Sequence, residues 1–95
     1  MRVEWTAEAL ADFEHISTWI EKERTLALAN RMCRRIYDAM QALRRQPSLG
    51  RSGRVAGTRE LVVTGTPWIA VYRISSDVIQ LLRILHGAQD WPPSA

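Results

Sequence analysis

Apolar residues recur at helical spacing twice in the first half of the chain, and beyond Pro47 that period is lost. Leu10, Phe13, Ile16 and Ile20 fall on one side of a first predicted helix that ends near residue 23. Ala29, Met32, Cys33, Ile36, Met40 and Leu43 form the stripe of a second, with Arg31, Arg34, Arg35 and Asp38 largely off it. Thr6 and Thr25 stand where hydroxyl N-caps belong, Glu8 sits where a helix dipole favours an acid, and Pro47 with Gly50 stops the second helix. So short a link between two amphipathic helices predicts an antiparallel hairpin packed through its stripes.

The second half is built differently. Residues 47–58 are rich in Gly, Ser and Arg without a period, which predicts a loop. Segments 60–63, 68–74 and 78–85 are rich in β-branched and aromatic residues, and the breaks between them are short enough for hairpins. They predict a three-stranded antiparallel meander. Val3 and Trp5 alternate with Arg2 and Glu4, adding an opening strand. The expected fold is α+β, in the order βααβββ: a four-stranded antiparallel sheet packed on the helical hairpin, with residues 1–95 as a single domain.

With 46% hydrophobic and 24% charged residues the chain has the balance of a packed globule. No run is long enough for a signal peptide or a bilayer span, so the cytoplasm is the expected location. One cysteine, Cys33, and two histidines give no disulfide and no zinc spacing; Cys33 is expected as a small buried hydrophobe, and no metal or cofactor is implied. Charge is unevenly placed. Residues 1–23 carry two basic and six acidic side chains, a net of minus four, whereas residues 24–95 carry eleven arginines against four acids, a net of plus seven. Arginine suits bidentate contact with carboxylate or phosphate, so an acidic protein partner and a nucleic acid both fit, as does an ordinary solvated surface.

Arg31, Arg34, Arg35, Arg44 and Arg45 form the helical part of that charge, with Arg31, Arg34, Arg35 and the off-stripe Trp19 as candidate partner contacts. Arg51 and Arg54 lie in the Gly/Ser loop, where guanidinium groups are placed to reach a ligand. His86 ends the last strand beside Gly87, where bonding to neighbours or facing water is favoured over catalysis. His15 reads as a solvated surface residue. The acid pairs Glu8 with Asp12 and Glu21 with Glu23 read as a solvated face.

Gly50-Arg51, Gly57-Thr58-Arg59-Glu60-Leu61, Trp68-Ile69-Ala70-Val71-Tyr72-Arg73 and the segment from Ile84 through His86-Gly87-Ala88-Gln89-Asp90-Trp91-Pro92 occur in an order and spacing that resembles the RelE/ParE toxins. The resemblance spans nearly the whole chain and is most specific in the strand half. It implies the toxin of a type II toxin-antitoxin pair, which either cuts messenger RNA in the ribosomal A site or poisons DNA gyrase. For the nuclease branch it implies Arg59, Arg73 and Arg83 as phosphate ligands and His86 as proton carrier. That branch expects a basic residue after the aromatic opening the central strand, where Ile69 follows Trp68, and a base or Tyr beyond the last strand, where residues 87–91 have neither. The sequence is therefore closer to the ParE-like, gyrase-inhibiting branch, with Arg51, Arg54, Arg59, His86, Gln89 and Trp91 as candidate target contacts. The alternatives are a ribosome-dependent nuclease and a decayed toxin that keeps only antitoxin binding. The resemblance also implies a cognate antitoxin, with Trp19, Arg31, Arg34 and Arg35 as its candidate contacts, in assemblies that extend to two toxins with two antitoxins.

Overall fold

A computed structural model describes residues 1–93. Strand β1 (Arg2–Trp5) leads into helices α1 (Ala7–Glu23) and α2 (Leu26–Arg45), followed by β2 (Arg51–Ser52), β3 (Arg59–Val62), β4 (Trp68–Ser75) and β5 (Val78–His86). The sheet order is β1-β5-β4-β3-β2. The α+β layering and the helical hairpin are as expected, with two differences in the sheet. It is mixed and not wholly antiparallel, because β1 runs parallel to β5 with Arg2 opposite Val78 and Trp5 opposite Leu81. Alternation tells which face a strand buries, but neither its direction nor a partner some seventy-six residues away. The predicted loop also contains a fifth strand, β2, whose two residues pair with Glu60 and Arg59 and are too few to show a period.

The core lies between the hairpin and the sheet. Ala9, Ile16 and Ile20 of α1 and Ala29, Ile36, Met40 and Leu43 of α2 meet Trp68, Ala70, Tyr72, Ile79, Leu81 and Ile84. Each fully buried Leu or Ile contributes about 1.5–3 kcal/mol from area removed from water. Leu10 is not among them, being 48% exposed. With 3.6 residues per turn the buried row is Ala9, Phe13, Ile16 and Ile20, and Leu10 falls off its edge. Cys33 is half-buried and not wholly enclosed.

Two caps start the helices as predicted: Thr6 accepts from the Ala9 N–H at 3.1 Å and Thr25 from the Leu28 N–H at 3.0 Å. Thr6 has a second task. Its hydroxyl donates to the Leu82 carbonyl at 2.9 Å, where β5 carries an extra residue: Tyr72 pairs with Leu81 but Val71 with Arg83, leaving Leu82 unopposed. Just past this bulge Asp12 grips β5, accepting from Arg83 Nε at 2.7 Å, Arg83 Nη2 at 3.0 Å and the Ile84 N–H at 2.9 Å. Asp12 is thus held by charge-assisted bonds and is not part of a solvated face. The hydrogen bonds that Arg83 donates to Asp12, set against partial burial, hold its guanidinium above its ordinary pKa.

The segment between α2 and β3 is anchored twice. Buried Tyr72 accepts from the Gly50 N–H at 2.8 Å and donates to the Pro47 carbonyl at 2.7 Å. A Cβ on Gly50 would stand 2.8 Å from the Tyr72 ring, so the close approach requires glycine there. Burial raises the Tyr72 phenol pKa against the opposing pull of the Gly50 hydrogen bond and the Arg59 charge. Glu60, whose side chain is 1% exposed, accepts from the Arg54 N–H at 2.8 Å, from Arg54 Nε at 3.1 Å and from Arg51 Nη2 at 3.4 Å. Burial pushes this carboxyl up, but the Arg54 and Arg51 contacts together outweigh it and leave its pKa below the ordinary value.

Tyr72→Phe leaves the Gly50 N–H and the Pro47 carbonyl without their partner, and we expect a loss of about 1–3 kcal/mol in urea denaturation with the m-value unchanged. Glu60→Gln should cost about 1–3 kcal/mol at neutral pH. Because the folded carboxyl titrates below the unfolded one, its contribution is complete above the unfolded pKa and vanishes as pH falls through the folded pKa. The stability gap between parent and variant should therefore close on acidification, and a gap that widens would contradict this account of Glu60.

Candidate partner-binding cleft

Where the C-terminal half of α1 passes over the end of the sheet, the surface opens into a cleft of about 500 Å³ lined by Asp12, His15, Ile16, Trp19, Trp68, Ile84, His86 and Gln89. A neighbouring hollow of about 370 Å³ shares Trp19, Trp68 and His86 and adds Ile20, Arg24, Leu28, Met32 and Pro67. Trp19 is 50% exposed although its neighbours Ile16 and Ile20 are in the core. Trp68, opening β4, lies opposite His86 in the strand register, and the two rings meet edge to face with centroids 5.2 Å apart.

The tail closing this cleft is ordered by its own backbone. The Gly87 N–H donates to the Pro67 carbonyl at 2.8 Å and the Gln89 N–H to the His86 carbonyl at 2.9 Å. His86 Nδ1 accepts from the Ala88 N–H at 3.1 Å. An accepting ring nitrogen carries no proton, so in this arrangement the imidazole presents Nε2–H as a donor. Trp91, half-buried, lies under the Arg83 guanidinium, 5.6 Å from its ring centre. The indole N–H groups of Trp68 and Trp91 are buried without a hydrogen-bond partner among the described residues.

The residues singled out from sequence fall into separate groups. Trp19, His86 and Gln89 come together in the cleft. Arg51 and Arg54 are held on Glu60, though their side chains remain 62% and 40% exposed. Arg59 donates to the carbonyls of Gly50 at 2.8 Å and Ser48 at 3.3 Å. Arg73, exposed, bonds Gln80 across the strands at 2.6 Å, and Arg83 is held by Asp12. Arg59 pairs with Tyr72 and His86 with Trp68, so those two levels of β4 are four residues, or roughly 13 Å, apart along the strand. Arg31, Arg34 and Arg35 are exposed on α2, but Arg35 approaches Gly65 in the β3–β4 turn while Arg34 turns to Tyr37 and Asp38.

Sequence reasoning did not place Asp12, Ile16, Trp68 and Ile84 at a site. Helical periodicity assigns Ile16 to the core, and nothing in local sequence ties Asp12 to a strand seventy-one residues away. His15, read as a surface residue, is exposed and also lines the cleft. An apolar floor with two tryptophans and a rim of Asp12, His15, His86 and Gln89 suits a protein partner's side chains. Among the described residues no group of three His, Cys, Asp or Glu side chains is arranged to hold a metal ion, and no helix is long and apolar enough to cross a membrane.

The chain is similar to known proteins over nearly its full length. It is 44% identical over 91 residues to "Putative toxin Y4kP" of Sinorhizobium fredii, covering 96% of this chain and 93% of that one. Among solved structures it is similar to a chain of the chromosomal ParDE toxin-antitoxin system from P. aeruginosa, with a TM-score of 0.84, 27% identity, and 90% and 95% of the two chains covered. A YoeB/ParE toxin from Agrobacterium tumefaciens, with a TM-score of 0.63, 21% identity, and 90% and 98% covered, shares the fold. The profile of the ParE toxins of type II toxin-antitoxin systems, parDE, matches residues 3–91, and the chain belongs to that toxin family.

Proposed function

We propose that this toxin inhibits DNA gyrase by binding it, without itself being an enzyme, and that residues 1–95 act as one toxin domain in the cytoplasm. The observation that carries the reading is the commitment of the nuclease-candidate side chains. Arg59 is bonded to two backbone carbonyls, Arg83 to Asp12 and Arg73 to Gln80. His86 offers a donor, since its Nδ1 lone pair is taken by Ala88. A phosphoryl-transfer site needs cations converging on one phosphate and a base with a free lone pair. The P. aeruginosa ParDE likeness supports the same branch.

The cleft around His86 is the proposed target surface, with Gln89 and Trp91 at its margin and Arg51, Arg54 and Arg59 as a second contact region; Trp19, an antitoxin-contact candidate from sequence, is assigned to the target surface because it lines the same cleft. A cognate antitoxin is the other partner, in a hetero-oligomer of two toxins and two antitoxins. Its acidic segment is attracted by the arginine-rich surface from Arg24 onward, with Arg31, Arg34 and Arg35 as contacts, so its on-rate falls as salt rises.

Purified toxin should be added to gyrase with relaxed plasmid and ATP, and in parallel to a translating ribosome extract. Loss of supercoiling with accumulation of linear DNA is expected, with messages uncut; cut messages and unaffected gyrase would replace this reading with the ribonuclease one. Trp19→Ala, removing an exposed aromatic anchor, should weaken gyrase inhibition about tenfold or more. Full inhibition by that variant would move the contact away from the cleft.

A further inference from the structure

The cleft and the hollow beside it form one groove. They share Trp19, Trp68 and His86, and their linings follow α1 from Asp12 to Arg24, roughly 18 Å at the rise of a helix. The hollow, about 370 Å³, differs from the cleft in chemistry: Ile20, Leu28, Met32 and Pro67 make it apolar, and the charged residue in its lining is Arg24. Arg24 is exposed, and its side chain makes no hydrogen bond or ion pair among the described residues. We propose that this hollow selects the target: a short amphipathic segment of gyrase seats apolar side chains in both halves of the groove and places a carboxylate on Arg24. This rests on the gyrase reading and adds to it the partner chemistry that the groove recognises.

The charge around the hollow is positive because its arginines are not engaged within the fold. Arg51 and Arg54 are held on Glu60, Arg83 on Asp12 and Arg34 on Asp38, whereas Arg24, Arg31 and Arg35 have no acidic partner among the described residues. Leu28, Arg31, Met32 and Arg35 fall within about 100° of one another around α2. Arg35 approaches Gly65 in the turn that also holds Pro67, so this side of α2 borders the hollow. Glu23, next to Arg24 in the chain, forms no ion pair with it, and Asp12 at the far end of the groove is neutralised by Arg83. Between the two halves His86 offers Nε2–H, a donor for a carbonyl or carboxylate oxygen. Guanidinium groups beside an apolar seat are complementary to an acidic amphipathic segment. A DNA backbone would match the charge but leave Ile20, Leu28 and Met32 without an apolar partner.

The test is the concentration of toxin that halves gyrase supercoiling of relaxed plasmid with ATP, measured for each variant beside its affinity for the antitoxin. Arg24→Glu is expected to raise that concentration about tenfold, and Arg24→Lys to keep most of the parent's potency. Met32→Ala, which removes part of the apolar seat, should raise it about tenfold as well. Circular dichroism confirms that each variant is folded. Arg45→Glu makes the same change of charge on exposed α2 surface outside the groove and should inhibit as the parent does. An equal loss in Arg45→Glu would trace the effect to overall charge and overturn the proposal. Parent-like inhibition by Arg24→Glu would overturn it too and leave the gyrase reading standing; if antitoxin affinity fell in that variant, the hollow would be an antitoxin seat. A parent chain that leaves gyrase unaffected would remove the gyrase reading itself, and this inference with it.

Discussion

Asp12 is where the two layers of this molecule are fastened together. One carboxylate on α1 takes both nitrogens of the Arg83 fork and the Ile84 backbone N–H of β5. It acts just beyond the point where β1 stops pairing with β5, at Trp5 opposite Leu81. There the strand would otherwise present an unpaired edge N–H. Charge-assisted bidentate bonds in a partly buried site are stronger and less screened than an exposed pair such as Arg2 with Glu4, whose side chains are mostly in water. The bulge at Leu82 and its bond from Thr6 sit nearly two helical turns earlier, so the first turns of α1 are held on β5 at two points. The cleft inherits its geometry from this, because Asp12, Ile16 and Trp19 form one wall and Ile84 and His86 the other.

The arginines show why net charge is a poor guide to a site. Eleven of them follow residue 23, and as a sum they suggest phosphate recognition. In the fold, Arg54 and Arg51 neutralise buried Glu60, Arg59 closes over the Gly50 and Ser48 carbonyls, and Arg83 serves Asp12. These side chains stabilise loops and edges that backbone pairing leaves open, β2 supplying only two paired residues to its hairpin. The guanidinium fork suits such internal work for the same reason that it suits phosphate, namely several donors in a fixed plane.

What the sequence disclosed follows from the range of each signal. Helix stripes, the Thr6 and Thr25 caps and the meander of β3, β4 and β5 are encoded by residues a few positions apart, and they were legible. The parallel pairing of β1, the bulge at Leu82 and the Asp12 clamp depend on contacts between distant residues, which no local period carries. The same division runs through the site. Trp19, His86 and Gln89 could be singled out as an off-stripe tryptophan and a strand ending, but their meeting with Trp68 and Ile84 required the register that places His86 opposite Trp68. Glu60 reads as one acid among basic residues, and only its burial shows why Arg51 and Arg54 stand where they do.

The fold is shared with the YoeB/ParE toxin from Agrobacterium tumefaciens at 21% identity, so the backbone architecture tolerates extensive replacement of side chains. A scaffold of that kind does not specify its target; the side chains displayed on it do. In this chain the displayed set is both apolar and fixed. Trp68 and His86 are held edge to face, the tail from Gly87 is bonded back to Pro67 and His86, and Trp91 is covered by an arginine that is itself immobilised by Asp12. A surface ordered before binding spends less conformational entropy on association than a mobile loop would. In the proposed reading that advantage falls to the cleft lined by Trp68 and His86, whose walls are joined by the same carboxylate that fastens the helix layer to the sheet.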